Sequence, residues 1–129
     1  SFLKFSDDED QALTPRFLTS LHDLEVLEND SLRIQCRVGG RPPPDIQWYL
    51  HGKRLIQDTR HKIIVNESGC HTLLITSCQL SDTGPITCLA RNRSGEAMAQ
   101  VYTQWVEMIK REKLDFEQKI LKFEFLRQK

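Results

Sequence analysis

All six glycines and all five prolines of this 129-residue chain fall between Pro15 and Gly95, and that distribution divides the backbone into two kinds. Glycine and proline interrupt helices and mark turns, so a stretch punctuated by them at short intervals folds as brief elements joined by tight connections. From Pro15 to Tyr102 the intervening segments alternate apolar and polar residues with period two, at the spacing of an all-β sandwich. After Gly95 the punctuation stops, and residues 103–129 change to helical composition and period. A chain of this length has room for one core of ordinary size plus an appendage, not for two full domains.

The strand pattern is clearest in Leu32, Ile34, Cys36 and Val38, which share one face because successive side chains on a strand point to opposite sides. Gly39-Gly40-Arg41-Pro42-Pro43-Pro44 is expected to be a loop, since proline withholds a ladder donor and glycine loosens the backbone. Ile46, Trp48 and Leu50 then alternate inward, His51-Gly52 signals a hairpin, and Lys53 to Ile56 reads as a short, partly exposed strand. Further strands are expected at His61 to Val65, His71 to Thr76, Ile86 to Asn92 and Glu96 to Tyr102, at least seven in all. Upstream, residues 1–14 carry the acidic run Asp7, Asp8, Glu9, Asp10 and read as a mobile, solvated leader.

In residues 103–129, Val106, Ile109, Phe116, Ile120 and Phe123 recur at spacings of three, seven, four and three, which stacks them on one helical face interrupted by Lys113. Thr103 suits the N-cap, Glu107 the positive end of the macrodipole, and Lys122, Arg127 and Lys129 its negative end. Glu107 with Arg111 and Asp115 with Lys119 add pairs four residues apart, and an amphipathic helix of about 25 residues spans about 37 Å. Three fates are open to it: folding back on the sandwich, pairing with a second copy as a homodimer, or running on as a rigid spacer. The two phenylalanines and Lys113 disfavour a long, strict coiled coil. Trp105, Ile109 and Leu114 beside Lys110, Arg111 and Lys113 have the outline of a calmodulin target, diluted by acidic neighbours.

Composition removes several function classes. Eighteen basic residues against eighteen acidic ones leave no net field to draw in nucleic acid or an anionic membrane, so neither is an expected partner. No apolar run is long enough for a bilayer, and the amino terminus has no signal-peptide pattern. The four cysteines form no CxxC pair and suggest no metal. His22, His51, His61 and His71 are scattered, with no HExxH pattern, nucleophile elbow or phosphate-cradling glycine motif, so each reads as a surface or satisfied polar residue. Neither an enzyme nor a cofactor site is expected.

Several motifs converge on one family. They are Cys36, Trp48 and Cys88; Pro15-Arg16-Phe17; Gly40-x-Pro42-x-Pro44-x-Ile46-x-Trp48; and His61-Lys62-Ile63-Ile64-Val65-x-Glu67-x-Gly69-x-His71. Leu73-x-Ile75-x-x-Cys78-x-x-x-Asp82-x-Gly84-x-Ile86-x-Cys88 and the stretch Ala90 to Ala97 complete the set. Over Pro15 to Tyr102 the chain resembles intermediate-set immunoglobulin domains of muscle and actin-cytoskeleton scaffolds, of the palladin, myopalladin, titin and myosin light-chain kinase type. The resemblance implies an all-β immunoglobulin-like sandwich, here with a C-terminal α-helix, in which Cys36 and Cys88 face each other from opposite sheets and Trp48 packs against them. Such domains place tyrosine two residues before the second cysteine, where its hydroxyl ties down the neighbouring corner; here that position is Ile86, which forgoes a bond of about 1 kcal/mol.

Cys36 and Cys88 either form a disulfide in an oxidising compartment or stay as packed thiols in the cytosol. Cys70 and Cys78, unpaired, favour the cytoplasm, whereas all three asparagines sit in glycosylation sequons (Asn29-Asp30-Ser31, Asn66-Glu67-Ser68, Asn92-Arg93-Ser94) and keep an extracellular adhesion or receptor domain as the alternative. The resemblance implies a non-catalytic module with cytoskeletal or sarcomeric protein partners. Lys53, Arg54, Arg60, His61 and Lys62 are expected to cluster on one edge, either as a patch for acidic actin or as a solvated edge that blocks strand-to-strand aggregation.

Overall fold

The computed structural model describes residues 11–106 and 108–128, with side chains apart from those of residues 107–112. The acidic run at residues 7–10 lies outside the described residues. Among the described residues nine strands follow one another: β1 (Leu13–Phe17), β2 (Leu24–Leu27), β3 (Leu32–Arg41), β4 (Asp45–Leu50), β5 (Lys53–Arg54), β6 (His61–Val65), β7 (Cys70–Ile75), β8 (Gly84–Asn92) and β9 (Gly95–Val106). A 3-10 turn at Leu80–Asp82 joins β7 to β8, and helix α1 (Met108–Arg127) follows β9. The strands form a four-stranded sheet, β1-β3-β7-β6, facing a five-stranded sheet, β2-β9-β8-β4-β5. Neighbours run antiparallel, except that β2 lies parallel to β9.

Alternation builds the core. Leu32, Ile34, Cys36 and Val38 of β3 and Leu73 and Ile75 of β7 point inward from one sheet; Trp48, Ile86, Cys88, Ala90 and Val101 meet them from the other. Burying a side chain of this size contributes about 1.5–3 kcal/mol, so this cluster supplies the main driving force for closing the sandwich. The turns use residues that tolerate positive φ: His51 (φ 51°) and Gly52 (φ 76°) both adopt it, as the tight β4–β5 hairpin requires. In the β8–β9 turn the Asn92 amide donates to the carbonyls of Leu13 (2.7 Å) and Pro42 (3.0 Å) and accepts from the Ser94 N–H (2.8 Å).

Several boundaries differ from the sequence reading, beginning with Leu13 and Thr14, which start β1 instead of ending the leader. Gly39, Gly40 and Arg41 continue β3 because β1 pairs with them, Arg16 opposite Gly39 and Leu13 opposite Arg41. The strand expected at Lys53 to Ile56 is confined to Lys53–Arg54. Thr103 is no N-cap and Val106 no part of a helical stripe: both are strand residues, because β9 stays paired with β2 from Leu24 opposite Thr103 to Leu27 opposite Val106. The helix therefore begins at Met108 and spans about 30 Å rather than 37.

Candidate binding surfaces

The strands bring Cys36, Cys88 and Trp48 together in the middle of the sandwich. Trp48 sits directly opposite Cys88 in the β4–β8 ladder and is 1% exposed. The Cys36 and Cys88 sulfurs lie 3.9 Å apart as thiols. The hydrogen bond to Cys36 and then burial push the Cys88 thiol upward in pKa, which keeps it protonated at neutral pH. This centre is sealed from solvent and packs the two sheets against each other.

Beside it the β7–β8 connection is held by a carboxylate whose role the sequence reading missed. Asp82 is 5% exposed, and its Oδ2 accepts from the Gln79 N–H (2.9 Å) and from the Arg60 guanidinium. Arg60 also donates to the carbonyls of Thr76 and Ser77, both at 3.3 Å. Ile86, in the place of the usual tyrosine, is buried in the core. The Thr103 hydroxyl engages both backbone groups of Gly84 at 3.0 Å. The corner thus relies on an ion pair and a threonine instead of a phenol. The clue in the sequence was Asp82 itself, an acidic residue six positions before a core cysteine, although its partner twenty-two residues upstream carries no local signal.

These contacts change the membership of the expected basic edge. Arg60 turns inward to Asp82, and His61 is held between Asp58 (2.8 Å) and Asp82 (3.9 Å). The His61 ring, followed by the backbone N–H groups of His61 and Arg60, holds the exposed Asp58 carboxyl down at about 2. Lys53, Arg54 and Lys62 remain exposed, on β5 and β6, the end strands of the two sheets. His71 also departs from expectation. It is 7% exposed, its Nδ1 has no hydrogen-bond partner, and burial lowers its pKa.

Along α1, Phe116, Ile120 and Phe123 lie on one side, and they are exposed. The side chain of Ile109 lies outside the described residues. A second row, Leu114, Leu121 and Phe125, spaced seven and four apart, runs along another side, so the helix is apolar on two faces rather than one. Exposures of the large apolar residues run from 41% at Ile120 to 65% at Leu121 and Phe123, so residues 113–127 are not folded back onto the sandwich in this structure. No helix among the described residues is long and apolar enough to cross a membrane. An open surface depression of about 530 Å³ is lined by His51, Leu80, Thr83, Gly84, Tyr102 and Trp105 among others.

Residues 15–104 match the immunoglobulin I-set domain. Titin of Drosophila melanogaster is 40% identical over 97 residues, covering 75% of this chain and a share of titin that rounds to 0%. Myotilin of Mus musculus is 42% identical over 83 residues, 64% of this chain and 17% of that one, and palladin of Rattus norvegicus is 40% identical over 88 residues, 68% and 15%. The chain thus spans less than a fifth of the length of these relatives. Among solved structures, a chain of the complex of titin M10 with an obscurin-like 1 Ig domain superposes with a TM-score of 0.72 at 31% identity, over 75% of this chain and 97% of that one. The titin M3 domain does so with a TM-score of 0.68 at 30% identity, over 72% and 97%. Strand order, core constellation and these likenesses agree: the chain belongs to the immunoglobulin I-set family.

Proposed function

We propose that this chain is a non-catalytic interaction module of a large sarcomeric or actin-associated scaffold in the cytoplasm, with α1 as its assembly element. The relatives support the scaffold reading, since titin, myotilin and palladin all contain such domains. The observation that carries the assembly role is the exposure of Leu114, Phe116, Ile120, Leu121, Phe123 and Leu126 on one helix. Apolar area of that extent on a soluble chain marks an interface. The partner best suited to a two-faced apolar rod is a second copy, giving a homodimer or small bundle in which Phe116, Ile120 and Phe123 are covered.

Measuring solution mass by light scattering tests this: the intact chain self-associates, and Phe116→Glu with Phe123→Glu returns it to monomer. A monomeric intact chain at high concentration overturns the homodimer. Lys53, Arg54 and Lys62 form the patch offered to filamentous actin. Cosedimentation that weakens with added salt and with Lys53→Glu/Arg54→Glu supports it, and salt-insensitive or absent pelleting removes it. A Cys36 to Cys88 bridge together with sugar on Asn66, found by mass spectrometry in natural material, replaces the cytoplasmic reading with an extracellular one.

A further inference from the structure

The two sheets differ in charge. The strands of the four-stranded sheet carry Arg16, Arg33, Arg37, Arg41 and Lys62 and contain no Asp or Glu, while those of the five-stranded sheet balance Lys53, Arg54 and Arg91 against Glu25, Asp45 and Glu96. Parity sends the cations outward. With Leu32, Ile34, Cys36 and Val38 in the core, Arg33 and Arg37 face solvent, and Leu74 stands between Arg33 and Lys62 in the ladder. Arg16 joins them from β1: a Cβ on Gly39 would lie 3.6 Å from its Nε, so its guanidinium group lies over that glycine.

Arg16, Arg33, Arg37 and Lys62 are exposed and none of them enters an ion pair among the described residues, although the Arg37 guanidinium donates to the Ser68 carbonyl at 3.3 Å. Between them the face is uncharged, with Gln35, Thr72 and Ile64 in one row of the ladder. Arg33 and Arg37 are about 13 Å apart along the strand, and Lys62 is about 10 Å from Arg33 across two strands. Cations without a carboxylate partner, set over an uncharged surface, complement a partner that brings carboxylates, and arginine engages them with two parallel hydrogen bonds. Four residues of extended chain cover the Arg33 to Arg37 distance.

We propose that the solvent face of the β1-β3-β7-β6 sheet, through Arg16, Arg33, Arg37 and Lys62, is a docking surface for an extended acidic polypeptide segment. The surface shares Lys62 with the patch proposed for actin and is otherwise separate from the Lys53 and Arg54 edge, which belongs to the other sheet.

Fluorescence anisotropy with a labelled twelve-residue peptide of alternating Asp and Thr tests it on the full chain. Saturable binding is expected at about 50 mM salt, weakening by about 200 mM, with an Asn-Thr peptide inert. Arg33→Glu/Arg37→Glu lowers affinity at least about tenfold, Arg33→Gln/Arg37→Gln by less, and Lys53→Glu/Arg54→Glu by under about twofold. Unchanged melting of the glutamine variant establishes that the fold is intact. Absence of saturable binding, equal losses from both pairs of sites, or tighter Arg33- and Arg37-dependent binding of duplex DNA or anionic vesicles overturns the proposal. So does peptide binding that appears only after the carboxylates at residues 7–10 are replaced by amides, since the face would then belong to the chain's own acidic run.

Discussion

The sandwich and α1 hold similar apolar side chains in opposite environments. Trp48, Leu73, Ile75 and Ile86 are sealed between two sheets, whereas Phe116, Ile120, Leu121 and Phe123 stand in solvent on a rod that follows directly on β9. The sheets supply one another with a buried face, so the sandwich is complete within one chain. An isolated helix of this length is marginal in water, so in the proposed assembly α1 would gain stability from the copy that covers it. One region is fixed by its own contacts and the other, in that assembly, by its surroundings.

The sharpest way to break that contrast is to remove the centre of the sandwich. Trp48→Ala should cost about 3–5 kcal/mol in denaturant unfolding, because the surrounding residues cannot collapse into so large a void. A loss below about 1 kcal/mol would mean that the core is not the internal anchor described above. Next comes Arg60→Met, expected to cost about 2–3 kcal/mol by leaving the buried Asp82 carboxylate without its guanidinium partner. Adding Asp82→Asn to that variant should recover part of the loss, and a double-mutant cycle measures the coupling.

A smaller effect tests the buried imidazole. Burial holds the His71 pKa below 6.5, so the folded state keeps it neutral while the unfolded chain takes up a proton as the pH falls below that value. Stability is therefore full above pH 6.5 and declines on acidification toward the lower folded pKa. Unfolding midpoints measured between neutral and mildly acidic pH should fall in the native chain, with a flatter slope in His71→Leu. The smallest expected change in folding free energy belongs to Phe116→Glu/Phe123→Glu, under about 0.5 kcal/mol for the sandwich transition. A large effect there would show that the helix braces its own domain.

Much of the architecture was legible because its signals are local. The alternation of Leu32, Ile34, Cys36 and Val38 fixes an inward face, and His51-Gly52 fixes a hairpin, without reference to distant residues. What escaped depended on partners far along the chain. Gly39 to Arg41 looked like loop until β1 supplied an edge to pair with, and Thr103 to Val106 suited a helix until β2 lined up beside them. Arg60 was recognisable as a cation, but the carboxylate it meets lies across a fold-dependent gap. His71 followed the period of a core strand, and polarity concealed what periodicity indicated.

Only Glu107 separates the last residue of β9 from the first of α1. Whatever grips the helix consequently tugs on a strand clasped along both flanks, by four residue pairs with β2 and nine with β8. Tension applied to that strand from its C-terminal end loads first the β2 pairs at Thr103–Val106 and then the β8 pairs at Gly95–Thr103, so the domain gives way ladder by ladder.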